Sequence, residues 1–218
     1  MLLPALSKAK EKGRQINCLN NVKQLQTAWH LYIDDSNNWV AENRTDMSGP
    51  AAAGLSNSWV IGNAVRSTNL ADIQNGTIFR YTPNVRVYRC PSDRSTIYQS
   101  NEPRLRSYSM DGYLNGLPNS ISKFSEIRFP AQIFVFLDEH EETIDGGTYA
   151  IDRSPTVRWF NLPADRHTQG GNLSFADGHS LHLRWRAPKK FITQPQAPAN
   201  AEDLADLQWL QAGLPPPP

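Results

Sequence analysis

The sequence predicts an α+β protein: one long N-terminal helix followed by a β-rich body with long loops. Three observations carry this. Apolar residues recur at three- and four-residue steps from residue 5 to about residue 34. Asp177-Gly178 stands between two stretches of alternating polarity, as in a hairpin. Sixteen prolines and 13 glycines punctuate the 218-residue chain, which calls for many turns.

The helix comes first. Leu6, Ala9, Gly13, Ile16, Leu19, Val22, Leu25, Trp29 and Tyr32 form its apolar stripe, with Lys, Glu, Arg, Gln and Asn between them. At 1.5 Å per residue it is about 45 Å long. Asp34-Asp35-Ser36-Asn37-Asn38 ends it with turn formers. Residues 41–58 are polar and read as a loop. Residues 58–62 fit a short strand or a packed insertion, and residues 71–81 a helical turn near Gly76. Residues 85–90 alternate as a strand that Pro91 stops. A second strand is expected at 106–110. The run Ile133-Phe134-Val135-Phe136 marks a buried strand over 131–137, and another follows at 148–151. The closing hairpin spans Leu173 to Trp185. A type I′ turn at Asp177-Gly178 would need positive φ at both residues.

These elements divide the chain into a helix (1–34), a globular body (35–186) and a Pro/Ala-rich tail with a short helix over 201–212 (187–218).

Charge excludes some functions. Lys+Arg is 22 and Asp+Glu is 21, a net charge of +1, so no whole-molecule field attracts nucleic acid or an anionic membrane. Lys8, Lys10, Lys12 and Arg14 are interrupted by Glu11 and read as a solvated helix face. No 18-residue apolar window exists, so the chain is expected to be soluble with no membrane span. Cys18 and Cys90 are too few for a zinc site made of thiolates. One disulfide between helix and body and two buried free thiols both fit.

Several segments taken in order resemble one family. Leu3-Pro4-Ala5-Leu6-Ser7-Lys8-Ala9-Lys10-Glu11-Lys12 resembles the helix just after a prepilin-type cleavage motif. Cys18-Leu19-Asn20-Asn21-Val22-Lys23-Gln24-Leu25 resembles its continuation, and Cys90-Pro91-Ser92-Asp93 a Cys-Pro-x-Asp corner. Arg106 to Met110 and Phe136-Leu137-Asp138-Glu139 fit as well. His167, nine residues, then Asp177-Gly178 resembles the H-X9-DG signature. The chain is thus similar to pseudopilins of type II secretion systems, major pseudopilin included, and to type IV pilins.

The resemblance implies a long helix packed on an antiparallel sheet and a periplasmic or inner-membrane-associated protein. It also implies partners among other pseudopilin subunits or the secretion machinery. The cleavage motif and most of the apolar segment do not stand in this sequence, so the expectation is a truncated chain or a soluble derivative. The resemblance further implies Ca²⁺ in the loop after the central strand, with Asp138, Glu139 and Asp145 as matching ligands. Hard oxygens on a Gly-containing loop suit that ion.

Acidic and imidazole groups concentrate between residues 138 and 182. Three readings of His167 stay open: a structural histidine bonded to a backbone carbonyl or to Asp177, a metal ligand, or a general base. Asp177 reads as a turn residue. His179 and His182 fall on opposite faces of a strand and cannot chelate one metal together, which argues against zinc. The chain carries no Gly-x-Ser-x-Gly, His-Glu-x-x-His or phosphate-binding Gly-rich pattern. An enzymatic alternative to the assembly role is a Ca²⁺-dependent hydrolase of small esters or lactones. His167 and Asp165 would be its catalytic residues, the metal polarising a carbonyl or activating a water.

Overall fold

The computed structural model describes residues 2–46 and 52–217. Helix α1 (Leu2–Asp35) precedes two short paired strands, β1 (Thr45–Asp46) and β2 (Ala53–Gly54), and a single helical turn, α2 (Ala71–Gln74). Then come β3 (Tyr108–Asp111), β4 (Phe134–Asp138), β5 (Thr148–Tyr149), β6 (Gly170–Phe175), β7 (Ser180–Arg184) and helix α3 (Ala201–Ala212). The main sheet has the order β5-β3-β4-β6-β7. Strands β3, β4, β6 and β7 pair antiparallel. Two-residue β5 joins β3 in parallel, so the sheet is mixed where a purely antiparallel one was expected.

Helix α1 lies across one sheet face. Its buried stripe is Gln15, Cys18, Val22, Leu25, Gln26, Ala28, Trp29 and Ile33. Val22, Leu25 and Trp29 are where periodicity put them. Leu6 and Ile16, predicted on the stripe, are 68% and 49% exposed. The first turns extend beyond the sheet, and Pro4 to Lys10 are all exposed. Polar residues of β6 face the helix and are satisfied by it: Ser174 Oγ donates to Gln26 Oε1 at 2.9 Å, and Asn172 Nδ2 to the Gln15 carbonyl at 3.4 Å.

The second face buries Phe134, Leu137, Leu173, Phe175 and Trp185 under Tyr149, Trp159 and α3 residues Leu207 and Leu210. Residues 187–217 therefore pack against the body. Lys189 Nζ pairs with Asp203 Oδ1 at 2.6 Å and Asp206 Oδ2 at 2.7 Å, with its side chain fully buried. The Pro215 carbonyl accepts from Arg153 at 3.0 Å, where a loose end was expected; Pro218 lies outside the described residues.

A bulge in β4 between Phe134 and Leu137 lets successive residues Val135 and Phe136 both join the helix-side core. Past it, alternation resumes. Asp138 points toward α1, and Glu139 points to the other face.

Two local expectations are corrected, at 85–88 and at the closing hairpin, and one open alternative is decided, at 58–62. Residues 85–88 form a 3₁₀ turn, because the Asn84 side chain accepts the Arg86 N–H at 3.1 Å and starts a tighter coil. Trp59 within 58–62 is a packed insertion, fully buried in the core. At the closing hairpin Gly178 alone has positive φ (96°), and its N–H bonds the Phe175 carbonyl at 2.9 Å. The loop is thus three residues long, Ala176 to Gly178, with glycine in the left-handed position. Asp177 Oδ1 accepts the His179 N–H at 3.0 Å, the turn role expected of it.

Candidate metal centre

Four elements converge beneath the first half of α1. Cys18 comes from the helix, Cys90 from the Cys-Pro corner, Asp138 from the end of β4, and His167 from the turn that opens β6. One donor atom of each lies within 4.8 Å of all the others. Cys90 Sγ is 3.1 Å from His167 Nε2, Cys18 Sγ is 3.6 Å from Asp138 Oδ2, and His167 Nε2 is 3.8 Å from Asp138 Oδ2. All four residues are at most 1% exposed. The two thiols are free and buried.

Each donor is oriented by a neighbour. Arg166 holds Asp138 Oδ1, leaving Oδ2 turned toward the sulfurs. Arg166 also reaches Glu141 Oε2 at 3.2 Å and the Glu139 carbonyl at 2.8 Å, with Asp93 Oδ2 3.9 Å away. Asp93 accepts from Ser107 Oγ at 2.5 Å, and that same Oγ accepts the Cys90 N–H at 3.0 Å. Tyr108 OH donates to Cys18 Sγ at 3.2 Å, and the Ser92 N–H to Cys90 Sγ at 3.4 Å. The His167 N–H bonds the Gly170 carbonyl at 3.2 Å across Thr168 and Gln169, both at positive φ (55° and 57°). Two successive non-glycine residues in that region, one β-branched, are a strained way to aim a histidine.

Burial sets the protonation of the cluster. It raises the Asp138 carboxyl to about 7 despite Arg166, lowers His167 to about 4 and pushes the Cys90 thiol up. Burial opposes the charge of Arg166, but Asp138 and Asp93 outweigh it and raise its pKa. Asp93 is held below the usual carboxylate range: burial would raise it, and Arg166 and the Ser107 hydroxyl prevail.

The remaining predicted residues lie elsewhere. Glu139 is buried on the opposite sheet face, where Oε1 accepts from Thr143 Oγ1 at 2.9 Å and from Asn161. Burial lifts its carboxyl to about 8. Asp145 accepts the Gly146 N–H and lines a cleft of about 490 Å³ with Asn43, Tyr113, Thr148 and Asn161. The Asp138–Glu139–Asp145 set is thus not brought together, because neighbouring residues of a strand face opposite ways. Among the described residues, the one cluster of three or more such donors is the Cys18–Cys90–Asp138–His167 group. Asp165 Oδ2 accepts the Lys189 N–H at 2.9 Å. His167 meets Cys90 and Asp138 rather than Asp177, whose ring partner is His179 at 2.6 Å. His182 Nδ1 faces Asn172 Oδ1 at 3.1 Å, so the two hairpin histidines do serve different neighbours. Sequence reasoning weighed the two cysteines only against each other, apart from Asp138 and His167. The signal was present only as four separate short segments.

Fold and site together define an α+β protein with a buried Cys₂-His-Asp cluster under its long helix. Comparison with protein-family models, with curated proteins and with solved structures returns no match.

Proposed function

We propose that this chain is a pseudopilin-like subunit, the globular part of a type II secretion- or type IV pilus-type assembly. One observation supports the reading above the others. Helix α1 meets the body from Glu11 onward, while Pro4 to Lys10 are exposed at every residue. An isolated domain gains nothing from about two solvated turns of helix that carry an uncovered Leu6, since helical stability comes mostly from a packed face. In an assembly those turns would pack against other copies. Among the described residues no helix is long and apolar enough to cross a membrane, so an anchor would have to come from additional chain.

The hydrolase alternative has less support. His167, its base, is fully buried, and the cleft of about 490 Å³ contains neither His167 nor Asp165. The assembly reading does not require Ca²⁺ at residues 138–145, where the carboxylates already hold protein partners.

A photo-crosslinking residue at position 6, expressed in the source cells, tests the proposal. A ladder of crosslinked copies or a crosslink to a second pilin-like protein is expected. Purely monomeric protein, together with genomic sequence lacking about 15–20 in-frame apolar codons upstream of Met1, would refute it.

A further inference from the structure

We propose that Cys18, Cys90, Asp138 and His167 bind one Zn²⁺, which staples the long helix to the sheet. This goes beyond the assembly reading and does not depend on it.

The donor set matches the ion. Zinc takes thiolate, imidazole and carboxylate ligands in a tetrahedron, with Zn–S of about 2.3 Å and Zn–N and Zn–O of about 2.0–2.2 Å. Those bonds put neighbouring donors about 3.4–3.8 Å apart. Three of the six separations here are 3.1 Å, 3.6 Å and 3.8 Å, the first slightly short of that range, and all six are within 4.8 Å, so small side-chain shifts reach the tetrahedron. Ca²⁺ does not suit the cluster, because it wants six to eight oxygens and only one carboxylate oxygen faces inward.

The surroundings are those a metal needs. His167 Nδ1 is buried, without a hydrogen bond, and 3.4 Å from Glu11 Oε1. With zinc on Nε2 the ring proton sits on Nδ1, and the Glu11 carboxylate is near enough to accept it after a small rotation of its side chain. Such a carboxylate–histidine–metal arrangement fixes the tautomer and the ring plane. Tyr108 OH and the Ser92 N–H aim hydrogens at the two sulfurs, which favours thiolate.

Charge points the same way. Two thiolates and the Asp138 carboxylate would carry three negative charges in a site closed to water, and Arg166 is already shared among Asp138, Asp93 and Glu141. A divalent cation removes most of that buried excess. On binding, the zinc displaces the two thiol protons and any proton on Asp138 into solvent. Four protein ligands close the coordination sphere, so the ion's role is structural. It ties α1 at Cys18 to three segments of the body.

The test is metal analysis of the full chain purified under reducing conditions. About one zinc per chain is expected, and calcium at background. After stripping with a chelator, Co²⁺ should restore a thiolate-to-cobalt charge-transfer band, and Zn²⁺ should then quench it. Cys90→Ser and His167→Ala should weaken zinc binding at least ~100-fold, whereas His179→Ala, on the hairpin tip, should leave it unchanged. Should either site variant fail to fold, the cobalt spectrum and thiol protection of the wild-type chain decide the question. Zinc should shield both cysteines from alkylation. Three results would each overturn the inference: wild-type protein with no zinc and no charge-transfer band, undiminished zinc in Cys90→Ser, or a Cys18–Cys90 disulfide in the isolated protein.

Discussion

Cys90 Sγ lies 3.1 Å from His167 Nε2, although 77 residues separate them in the chain. The pair exists because the Cys-Pro corner and the turn before β6 meet under the same helix. Its surroundings make several stability changes measurable.

Among the described residues Arg166 is the guanidinium held against Asp138, and it also engages Glu141. Arg166→Met leaves the buried Asp138 carboxyl beside Cys18 and His167 without its cation. Removing one partner of such a pair costs about 3–5 kcal/mol. Denaturant unfolding of both proteins, prepared alike with respect to metal, should show that loss; a change under about 1 kcal/mol would mean that the pair behaves as an exposed one.

The closing segment should prove integral to the body. Lys189→Met leaves Asp203 and Asp206 facing each other without their shared cation, at a similar cost of about 3–5 kcal/mol. Amide exchange should accelerate first across α3 and residues 187–200. Unchanged protection there would show that the buried cation does not hold α3 in place.

The two ends of α1 should respond differently to truncation. Leu25 is fully buried and Leu6 is 68% exposed. Leu25→Ala should destabilise by about 2–5 kcal/mol, and Leu6→Ala in the isolated chain by less than about 0.5 kcal/mol. Comparable losses at both positions would contradict the projecting N-terminal turns.

Asp111 offers a pH signature away from the cysteine cluster. It is fully buried; Oδ1 accepts the Tyr113 N–H at 3.0 Å, while Oδ2 has no partner. Burial lifts its carboxyl to about 8. The unfolded chain ionises near pH 4 while the folded one keeps the proton, so the native state binds more protons across that window. Stability is therefore lost as pH rises from about 4 to about 8. Asp111→Asn should flatten this decline, by on the order of 1 kcal/mol per pH unit. Parallel stability–pH curves for the two proteins would rule the assignment out.

Much of the fold was legible because its signals are local. Val22, Leu25 and Trp29 repeat at helical spacing, the 133–136 run is continuous, and Asp177-Gly178 closes a hairpin between alternating strands. The 3₁₀ turn at 85–88 was missed because its alternation was apparent only. Asn84 captures a backbone N–H there, a choice of partner that periodicity does not register. The nine-residue spacing of the H-X9-DG stretch acquires a physical meaning: it is one turn plus strand β6, with His167 at one end and the hairpin at the other.

By itself the amino-acid order determined the elements: a long helix, a buried central strand, a closing hairpin and a C-terminal helix over 201–212. Hydrophobic period and turn chemistry act between near neighbours, so these could be read without coordinates. Only the tertiary structure decided what shares a site. It sent Asp138 and Glu139 to opposite faces of β4, folded residues 187–217 onto the second core, and gathered Cys18, Cys90, Asp138 and His167 at one buried point. The contacts that did so join residues far apart in the chain, Cys18 and Asp138 by 120 positions, and the register that brings them together is set by packing a helix on a bulged sheet rather than by any local pattern.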